Sequence, residues 1–302
     1  MMKTVLKWLA FVVLGALILW LLGQKALATE EAYMRQVVLK SSQDVAFLTA
    51  RHAVDTLKQT ESQIAGLARA LIRENPSADR IHELLRIHFG AHPCVVGVRF
   101  FPNTTNPAEI AFRNAASGFG TDLLLPRKSP ENIQSLLAHP SPPATTQNIK
   151  NESFAYLMLP VKELRENLYL GMIEAQVSMS RLFSPAQELA SRRDGELLLL
   201  DGQGTIILPK DQGFSFEEDE LKTIRDERYG GFIRKGAAQG EMVSFCTLNL
   251  LGTGPLPDMA VLSLGDPEIV KKFVERMRLN LGILMSFGLL LVMYLGRLVF
   301  FR

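Results

Sequence analysis

Hydrophobic residues are concentrated at the two ends of this 302-residue chain, while the middle alternates short apolar and polar stretches. The first apolar run covers residues 4–23 and contains one charge, Lys7. The second covers residues 279–301, with Arg297 as its only charge. At ~1.5 Å per helical residue, each run is long enough to cross a hydrocarbon core of ~30 Å. The second run has no polar face, whereas a core helix of a soluble protein usually has one. The pattern predicts two transmembrane helices around a soluble middle.

The first apolar run has a second interpretation, a cleaved signal peptide. Lys3 and Lys7 form a basic n-region, and residues 26–28 (Ala-Leu-Ala) match an A-x-A cleavage site. The run is longer than the ~7–15 residues of a signal h-region, which favours an uncleaved anchor. Trp8 and Trp20 lie near its two ends, where aromatic side chains meet membrane interfaces. Cleavage after Ala28 stays an open alternative at this point.

Basic residues set the expected orientation. Lys3 and Lys7 favour a cytoplasmic N-terminus, so that two spans return the C-terminus to the cytoplasm. Four basic residues precede the second span on the expected outer side, against this rule: Lys271, Lys272, Arg276 and Arg278. Large domains are translocated largely regardless of charge, so we keep the cytoplasmic N-terminus as the prediction.

The soluble middle begins with an uninterrupted helical pattern. No proline occurs between residues 29 and 75, and Gly66 is the only glycine there. Leu57, Ile64 and Leu71 recur at seven-residue spacing, which is typical of a helix that packs along one face. We predict a stalk helix over 29–75 whose apolar face forms a dimer seam, a contact with the domain core, or both.

Helix and strand patterns then alternate twice along the chain, which is an α+β arrangement. Residues 117–151 are rich in Pro, Ser and Asn and are interpreted as a variable loop region around a short helix over 130–138. Asp266 and Pro267 open a helix that leads into the second span. We predict helices over 77–89, 180–193 and 216–228, strands over 95–101, 109–114, 154–161, 168–177, 240–250 and 259–264, and a hairpin over 196–208.

Charge and cysteine content exclude some classes of protein. The net charge is +2, and basic residues are scattered among acidic ones, so no field attracts nucleic acid. Cys94 and Cys246 are the only cysteines. An oxidising compartment permits a disulfide between them, but their long separation favours two isolated, buried thiols. Whether they pair stays open.

Two strand motifs carry a resemblance to a known family. Residues 159–161 (Leu-Pro-Val), a polar turn, and then residues 170–178 with Leu182 follow its pattern of apolar-Pro-Val, turn, apolar-Gly-x-apolar, strand and helix. Residues 199–207 are similar to the hairpin that opens its second module. With a long helix after the first span and a last strand leading into the second, the chain resembles the double Cache sensors over about residues 29–280. These are the extracytoplasmic receptors of bacterial chemoreceptors, histidine kinases and diguanylate cyclases.

The resemblance implies an α+β fold with a long N-terminal stalk helix and two PAS-like Cache modules built on antiparallel sheets, flanked by two transmembrane helices. The domains expected are a first span at 1–28, the stalk helix at 29–75, a membrane-distal module at 76–182, a membrane-proximal module at 183–278 and a second span at 279–302.

Two departures from the family limit what the resemblance implies. Amino-acid-binding members carry an aromatic-Arg-Trp-Tyr cluster and a late Asp, whereas this chain has no Trp between its spans and has Gln176 near the position of that Asp. Amino-acid binding is therefore not carried over. The sequence also ends six residues after Gly296, with no output domain, so we expect the signal to pass to a separate protein.

A ligand pocket in the first module is the candidate functional site. In this family, ligands lie against the sheet beneath the variable loops. The alternative for each candidate is a solvent-facing strand position or a rim ion pair. Arg suits bidentate capture of a carboxylate. The candidate ligand-binding residues are the polar strand residues Arg99, Arg113, Tyr156, Glu174 and Gln176.

The sequence contains no convincing motif for metal binding or catalysis. His82, His88, His92 and Cys94 form the only group resembling metal ligands, but Pro93 interrupts the helical spacing, which favours a solvated helix end and a core thiol. No nucleophile elbow and no phosphate loop occur. We expect no catalytic residues, no metal and no cofactor, and therefore no enzyme.

The expected function is that of a sensor in the bacterial inner membrane, with two spans and its central domain in the periplasm. It would bind a small solute or partner and relay the signal through its spans to a separate kinase or cyclase. Its partners would be the membrane, a small-molecule ligand, the signalling protein and a second copy through the stalk helix, but no nucleic acid. The alternative is an assembly protein of the envelope that uses a Cache-like fold for protein contacts without a ligand.

Overall fold

The computed structural model describes residues 2–74, 77–90, 92–103, 110–114, 145–149, 152–163, 168–191, 196–209, 215–234, 241–251 and 259–300. The helices described are α1 (Met2–Glu74), α2 (Ala78–Phe89), α3 (Met179–Ser191), α4 (Glu218–Glu227) and α5 (Pro267–Phe300). The strands described are β1 (Val95–Pro102), β2 (Ile110–Arg113), β3 (Thr145–Ile149), β4 (Glu152–Glu163), β5 (Leu168–Ser178), β6 (Glu196–Leu200), β7 (Ile206–Leu208), β8 (Tyr229–Ile233), β9 (Met242–Thr247) and β10 (Ala260–Gly265).

Two helices, α1 and α5, are long and apolar enough to cross a membrane. The most apolar 18-residue window has a mean hydropathy of 2.4 in α1 and 2.0 in α5. Within the part of the chain that is described, those windows are 0% and 6% buried. The core helix of a soluble protein would be mostly buried, so these two segments do not serve as core helices.

Residues 1–42, 231–243 and 265–302 form one compact unit, in which the apolar ends of α1 and α5 pack against each other. A Cβ atom on Gly15 would lie 2.7 Å from Val292 Cγ1, and one on Gly296 would lie 3.0 Å from the indole nitrogen of Trp8. The earlier residue of α1, Trp8, contacts the later residue of α5, Gly296, so the two helices are antiparallel. Glycines permit such close approach because they have no side chain. Gly282, by contrast, has no neighbour within 4 Å among the described residues.

Residues 43–230 and 244–264 form the other compact unit, which contains the first sheet. Its strand order is β2-β1-β5-β4-β3, and every neighbouring pair is antiparallel. Ser178 ends β5 and caps α3, because its Oγ accepts the backbone N–H of Arg181 at 3.3 Å. Near the start of β1, the buried side-chain amide of Asn114 donates to the backbone oxygens of Phe89, His92 and Val95 at 3.0–3.2 Å. These bonds fix the connection between α2 and β1.

A second sheet has the strand order β7-β6-β10-β9-β8. The hairpin predicted over 196–208 is β6 and β7, and its turn is closed by Asp201, whose Oδ1 accepts the N–H groups of Gln203 and Thr205 at 2.9 and 2.8 Å. Gly204 adopts a φ of +87°, a left-handed conformation that glycine takes up without a steric penalty. The two sheets thus repeat the same five-stranded order pattern, and the α+β fold with two antiparallel-sheet modules is confirmed.

The heptad face of α1 lies in the hydrophobic core of its own chain. Leu57, Ile64 and Leu71 are between 0% and 3% exposed and belong to one cluster with inward-facing strand residues such as Val98 and Ile173. Fully burying a side chain of this size stabilises the fold by about 1.5–3 kcal/mol. Of the two roles predicted for this face, the structure shows the contact with the domain core.

Two strands were not predicted from the sequence. Residues 145–149 were expected to be loop but form β3, in which Thr145 pairs with Tyr156 of β4. Residues 229–233 form β8, although Gly230 and Gly231 lower its strand propensity. In both cases pairing with a neighbouring strand outweighs weak local preference. The short helix predicted over 130–138 lies outside the described residues.

Candidate functional site

The two faces of the first sheet differ in chemistry. Val98 and Phe100 of β1 and Ile173 and Ala175 of β5 point into the hydrophobic core. Side chains alternate along a strand, so the residues between them point to the opposite face. On that face lie polar side chains that are also buried: Arg99 is 7%, Glu174 2%, Gln176 5% and Tyr156 1% exposed. We call these four residues the polar cluster.

An ion pair lies at the centre of the polar cluster. Arg99 and Glu174 stand directly opposite each other on β1 and β5, and Arg99 Nη2 lies 2.6 Å from Glu174 Oε2. The guanidinium carbon of Arg99 also lies 5.6 Å from the ring centroid of Phe101, a cation–π distance. The attraction within the pair is strong because little solvent screens it, and the cost of removing both charges from water is correspondingly large.

A tyrosine and a glutamine form the second half of the polar cluster. Tyr156 on β4 and Gln176 on β5 are opposite each other, and Gln176 Nε2 donates to Tyr156 Oη at 3.3 Å. Burial raises the pKa of the Tyr156 phenol, and the charge of Glu174 adds to the rise against the opposing effects of Arg99 and the Gln176 hydrogen bond. The phenol is therefore neutral near pH 7 and keeps its proton as a hydrogen-bond donor.

Four of the five candidate residues predicted from the sequence come together in this way, and the fifth does not. Arg113 on β2 pairs with Gly97 of β1, which in turn lies beside Gln176, so Arg113 shares a row with the polar cluster. Its side chain is exposed and makes no hydrogen bond or ion pair with the described residues. The role of all five as ligand-binding residues stays a prediction.

The apolar part of this face was not predicted from the sequence. Phe101 and Met172 are both fully buried and form a small cluster with the half-buried Met158 and Tyr169. Each of the two buried residues lies two positions from a member of the ion pair, Arg99 or Glu174. The period of two along a strand would have found them. A ligand on this face would therefore meet an ion pair, a neutral phenol and an apolar surface together.

The histidine expected at a solvated helix end is instead buried and hydrogen-bonded. His92 Nδ1 accepts the backbone N–H of Cys94 at 3.4 Å, and its Nε2 lies 3.2 Å from Thr60 Oγ1. Thr60 donates its only hydroxyl proton to Thr56 O at 2.9 Å, so it must accept the proton of His92 Nε2. Both ring nitrogens are thus used, and among the described residues no group of three or more His, Cys, Asp or Glu is arranged to hold a metal ion.

This network predicts a pH-dependent stability. Burial lowers the pKa of His92 from 6.5, so the unfolded chain binds a proton at a higher pH than the folded chain does. The stabilisation is complete above pH 6.5 and is lost as the pH falls through the lowered value. We therefore expect the free energy of unfolding to decrease through this residue as the pH is lowered from about 7. Urea unfolding of the full chain in detergent at each pH measures it.

His92→Gln should flatten this part of the pH profile, because the titrating group is removed. His52→Gln is the matched control, since the His52 side chain is exposed on α1 and its substitution should leave the profile as it is. An unchanged profile in His92→Gln would contradict the assignment.

The two cysteines are buried and not bonded to each other. Burial raises the pKa of both thiols, that of Cys246 to about 11, while Arg181 partly opposes the rise at Cys94. Both thiols are therefore protonated and poorly reactive near neutral pH.

Comparison with known proteins identifies the fold. No protein-family model matches the sequence, and no curated protein matches it. Among solved structures, the ligand-binding domain of the Pseudomonas aeruginosa PAO1 amino acid chemoreceptor PctC, in complex with GABA, is 17% identical with a TM-score of 0.51, over 74% of this chain and 97% of that chain. The ligand-binding domain of the Campylobacter jejuni chemoreceptor Tlp3, in complex with L-valine, is 12% identical with a TM-score of 0.53, over 80% and 97%.

A domain of a putative sensory box/GGDEF family protein from Vibrio parahaemolyticus is 12% identical with a TM-score of 0.53, over 78% of this chain and 99% of that chain. In each case nearly the whole of the solved domain is covered, although few residues are identical. The chain therefore has the fold of bacterial sensory and ligand-binding domains, the double Cache fold that its sequence motifs resemble.

Proposed function

We propose that this chain is a membrane-anchored sensor that binds a small polar solute at the polar cluster and relays its presence to a separate signalling protein. The observation that carries the proposal is the buried ion pair Arg99–Glu174 beside Tyr156 and Gln176. Its position on the sheet face opposite the core, in a fold shared with sensory ligand-binding domains, supports a binding role. The proposed activity is recognition rather than catalysis.

The chemistry of the polar cluster defines the solute. An apolar pair of similar volume is often as stabilising as a buried ion pair or more so, so stability alone does not account for Arg99 and Glu174. A guanidinium suits a carboxylate, while a carboxylate and a phenol suit an ammonium or hydroxyl group. The solute we propose carries both an anionic group and a hydrogen-bond donor, with a short apolar part for Phe101 and Met172.

The membrane arrangement we propose is a two-pass protein of the bacterial inner membrane. The antiparallel packing of α1 and α5 supports it, because antiparallel spans place both chain ends on one side. Lys3 and Lys7 favour the cytoplasm for that side, which leaves the two sheets in the periplasm. We propose the domain bounds predicted from the sequence together with this topology.

The proposed signal relay requires that the ligand bind two arrangements of the protein with different affinities. A ligand shifts an equilibrium between two arrangements only by the difference of its affinity for them. The two spans continue into the soluble part as α1 and α5, so a change in their relative position is available to a membrane partner such as a kinase or cyclase. A homodimer through α1 would use exposed apolar side chains such as Leu48, since Leu57 and Ile64 are buried in the core.

The test is a thermal-shift screen of the full chain in lipid nanodiscs against amino acids, amines and organic acids, with calorimetry on each compound that raises the melting temperature. We expect one class to bind, and Tyr156→Phe to weaken that binding about tenfold through loss of one hydroxyl group. Arg80→Gln, an exposed change on α2, is the control. If no compound raises the melting temperature while a co-purified protein does, the assembly function replaces the sensor function.

A further inference from the structure

A second cavity lies in the other module, between the β6–β7 turn and α4. Its volume is about 390 Å³, near the lower end of ligand pockets in proteins. Its lining combines apolar residues with cationic and polar ones. The residues lining it are Leu200, Asp201, Gly202, Gln203, Gly204, Leu221, Ile224, Arg225, Arg228, Thr247, Asn249 and Ala260. We call it the α4 cavity.

The positive charges of the α4 cavity are not neutralised within the described part of the chain. Arg225 and Arg228 both line it, and neither side chain forms a hydrogen bond or ion pair with a described residue. The one carboxylate in its wall, Asp201, already accepts two backbone N–H groups in the β6–β7 turn. The cavity therefore presents two guanidinium groups suited to an anion.

A buried hydroxyl group points to the same conclusion independently. Thr247 is only 8% exposed, and its Oγ1 has no hydrogen-bond partner among the described residues. Leaving such a group unsatisfied costs roughly 1–3 kcal/mol, whereas valine would fill the same space without that cost. A threonine in the wall of a cavity is explained if a ligand supplies the missing bond.

The backbone of Arg228 adds a third observation. This residue caps α4 with a φ of +60°, and it is the only non-glycine residue with a positive φ among those described. Glycine is the common residue at such a helix end because a Cβ is disfavoured in the left-handed region. The chain thus carries a guanidinium at a position where local stability favours glycine, and strain of this kind is found at functional sites.

We propose that the α4 cavity binds a small organic carboxylate. Arg225 and Arg228 pair with the carboxylate, the Thr247 hydroxyl donates to it, and Leu221 and Ile224 contact a short alkyl part. This site is separate from the polar cluster, which lies on the first sheet and takes its charges from β1 and β5.

The experiment is isothermal titration of the full chain in detergent with acetate, propionate, butyrate and succinate, and with sulfate at matched ionic strength. We expect saturable binding of a monocarboxylate with an alkyl part and none of sulfate. Thr247→Val and Arg228→Gly should each lower the affinity about tenfold, as expected for one lost polar contact. Lys222→Gln, which removes an exposed charge from the same helix outside the cavity wall, is the matched control.

Stability separates a binding role from a structural one. Because Thr247→Val removes an unsatisfied hydroxyl and Arg228→Gly relieves a left-handed backbone, both variants should unfold at the wild-type urea midpoint or above it while their affinity for the carboxylate falls. Absence of saturable carboxylate binding in the wild type overturns the proposal. Equal binding of sulfate, or unchanged affinity in both variants, overturns it as well.

Discussion

Replacing Gly171 with alanine is expected to lower the free energy of unfolding by more than about 3 kcal/mol. Gly171 lies in β5 with a φ of +147°, a conformation that residues with a side chain rarely adopt. A Cβ atom there would come within 2.2 Å of the backbone oxygen of Phe101 on β1. Backbone atoms of a central strand cannot move aside as a flexible side chain can, so β1 and β5 would have to separate locally. Urea unfolding of the full chain in detergent measures the loss.

Gly66→Ala is the matched control for this substitution. Gly66 lies within α1, and a Cβ there would meet no atom within 4 Å among the described residues. Alanine should stabilise the helix by about 0.5–1 kcal/mol, because glycine loses more backbone entropy on folding. The two variants therefore change stability in opposite directions, and equal stability of the two would contradict the constraint at Gly171.

Gly171 also shows which part of the fold the sequence could predict. The motif apolar-Gly-x-apolar at residues 170–173 was one of the features that linked the chain to double Cache sensors, and the close approach of β1 explains its glycine. Strands β1, β4 and β5 were predictable because their buried, β-branched and aromatic residues are consecutive along the chain. β3 and β8 were not, since their sequences are polar or glycine-rich and become strands only through a partner.

The role of the heptad face illustrates a limit of periodicity. Spacing of Leu57, Ile64 and Leu71 indicates one apolar face of α1 but not what covers it. A dimer seam and a domain core impose the same pattern, because both bury one stripe of a helix. Only the three-dimensional structure distinguishes them, and it places these side chains in the core of the same chain.

The sequence named the members of the polar cluster one by one, but it did not predict their arrangement, and their role in binding stays a prediction. Arg99 and Glu174 are 75 positions apart, and nothing local predicts that β1 and β5 are neighbours in this register. Tyr156 and Gln176 were easier to relate, since β4 and β5 are joined by one short connection and pair antiparallel. The burial of all four side chains was not predictable, because it depends on packing across the face of the sheet.

Breaking the Arg99–Glu174 pair from one side is expected to cost about 3–5 kcal/mol, because the remaining charge stays buried after the opposite charge has been removed. Arg99→Met and Glu174→Gln are the single variants, and Arg99→Met with Glu174→Gln is the double variant. The double variant should be more stable than the sum of the single losses by about 2 kcal/mol or more, since no uncompensated charge remains. Unfolding of all four proteins in urea gives the coupling free energy.

The exposed pair Arg80–Glu83 on α2 is the matched control for this cycle. Its nitrogen–oxygen distance is 2.7 Å against 2.6 Å in the buried pair, but its side chains are 43% and 46% exposed against 9% and 2%. Solvent screening should keep the effect of Arg80→Met below about 1 kcal/mol. Because the two pairs have similar geometry and differ in burial, a larger free-energy cost at Arg99–Glu174 is attributed to desolvation. If the two cycles give equal coupling, burial does not strengthen the Arg99–Glu174 interaction, and the cost expected for breaking it is wrong.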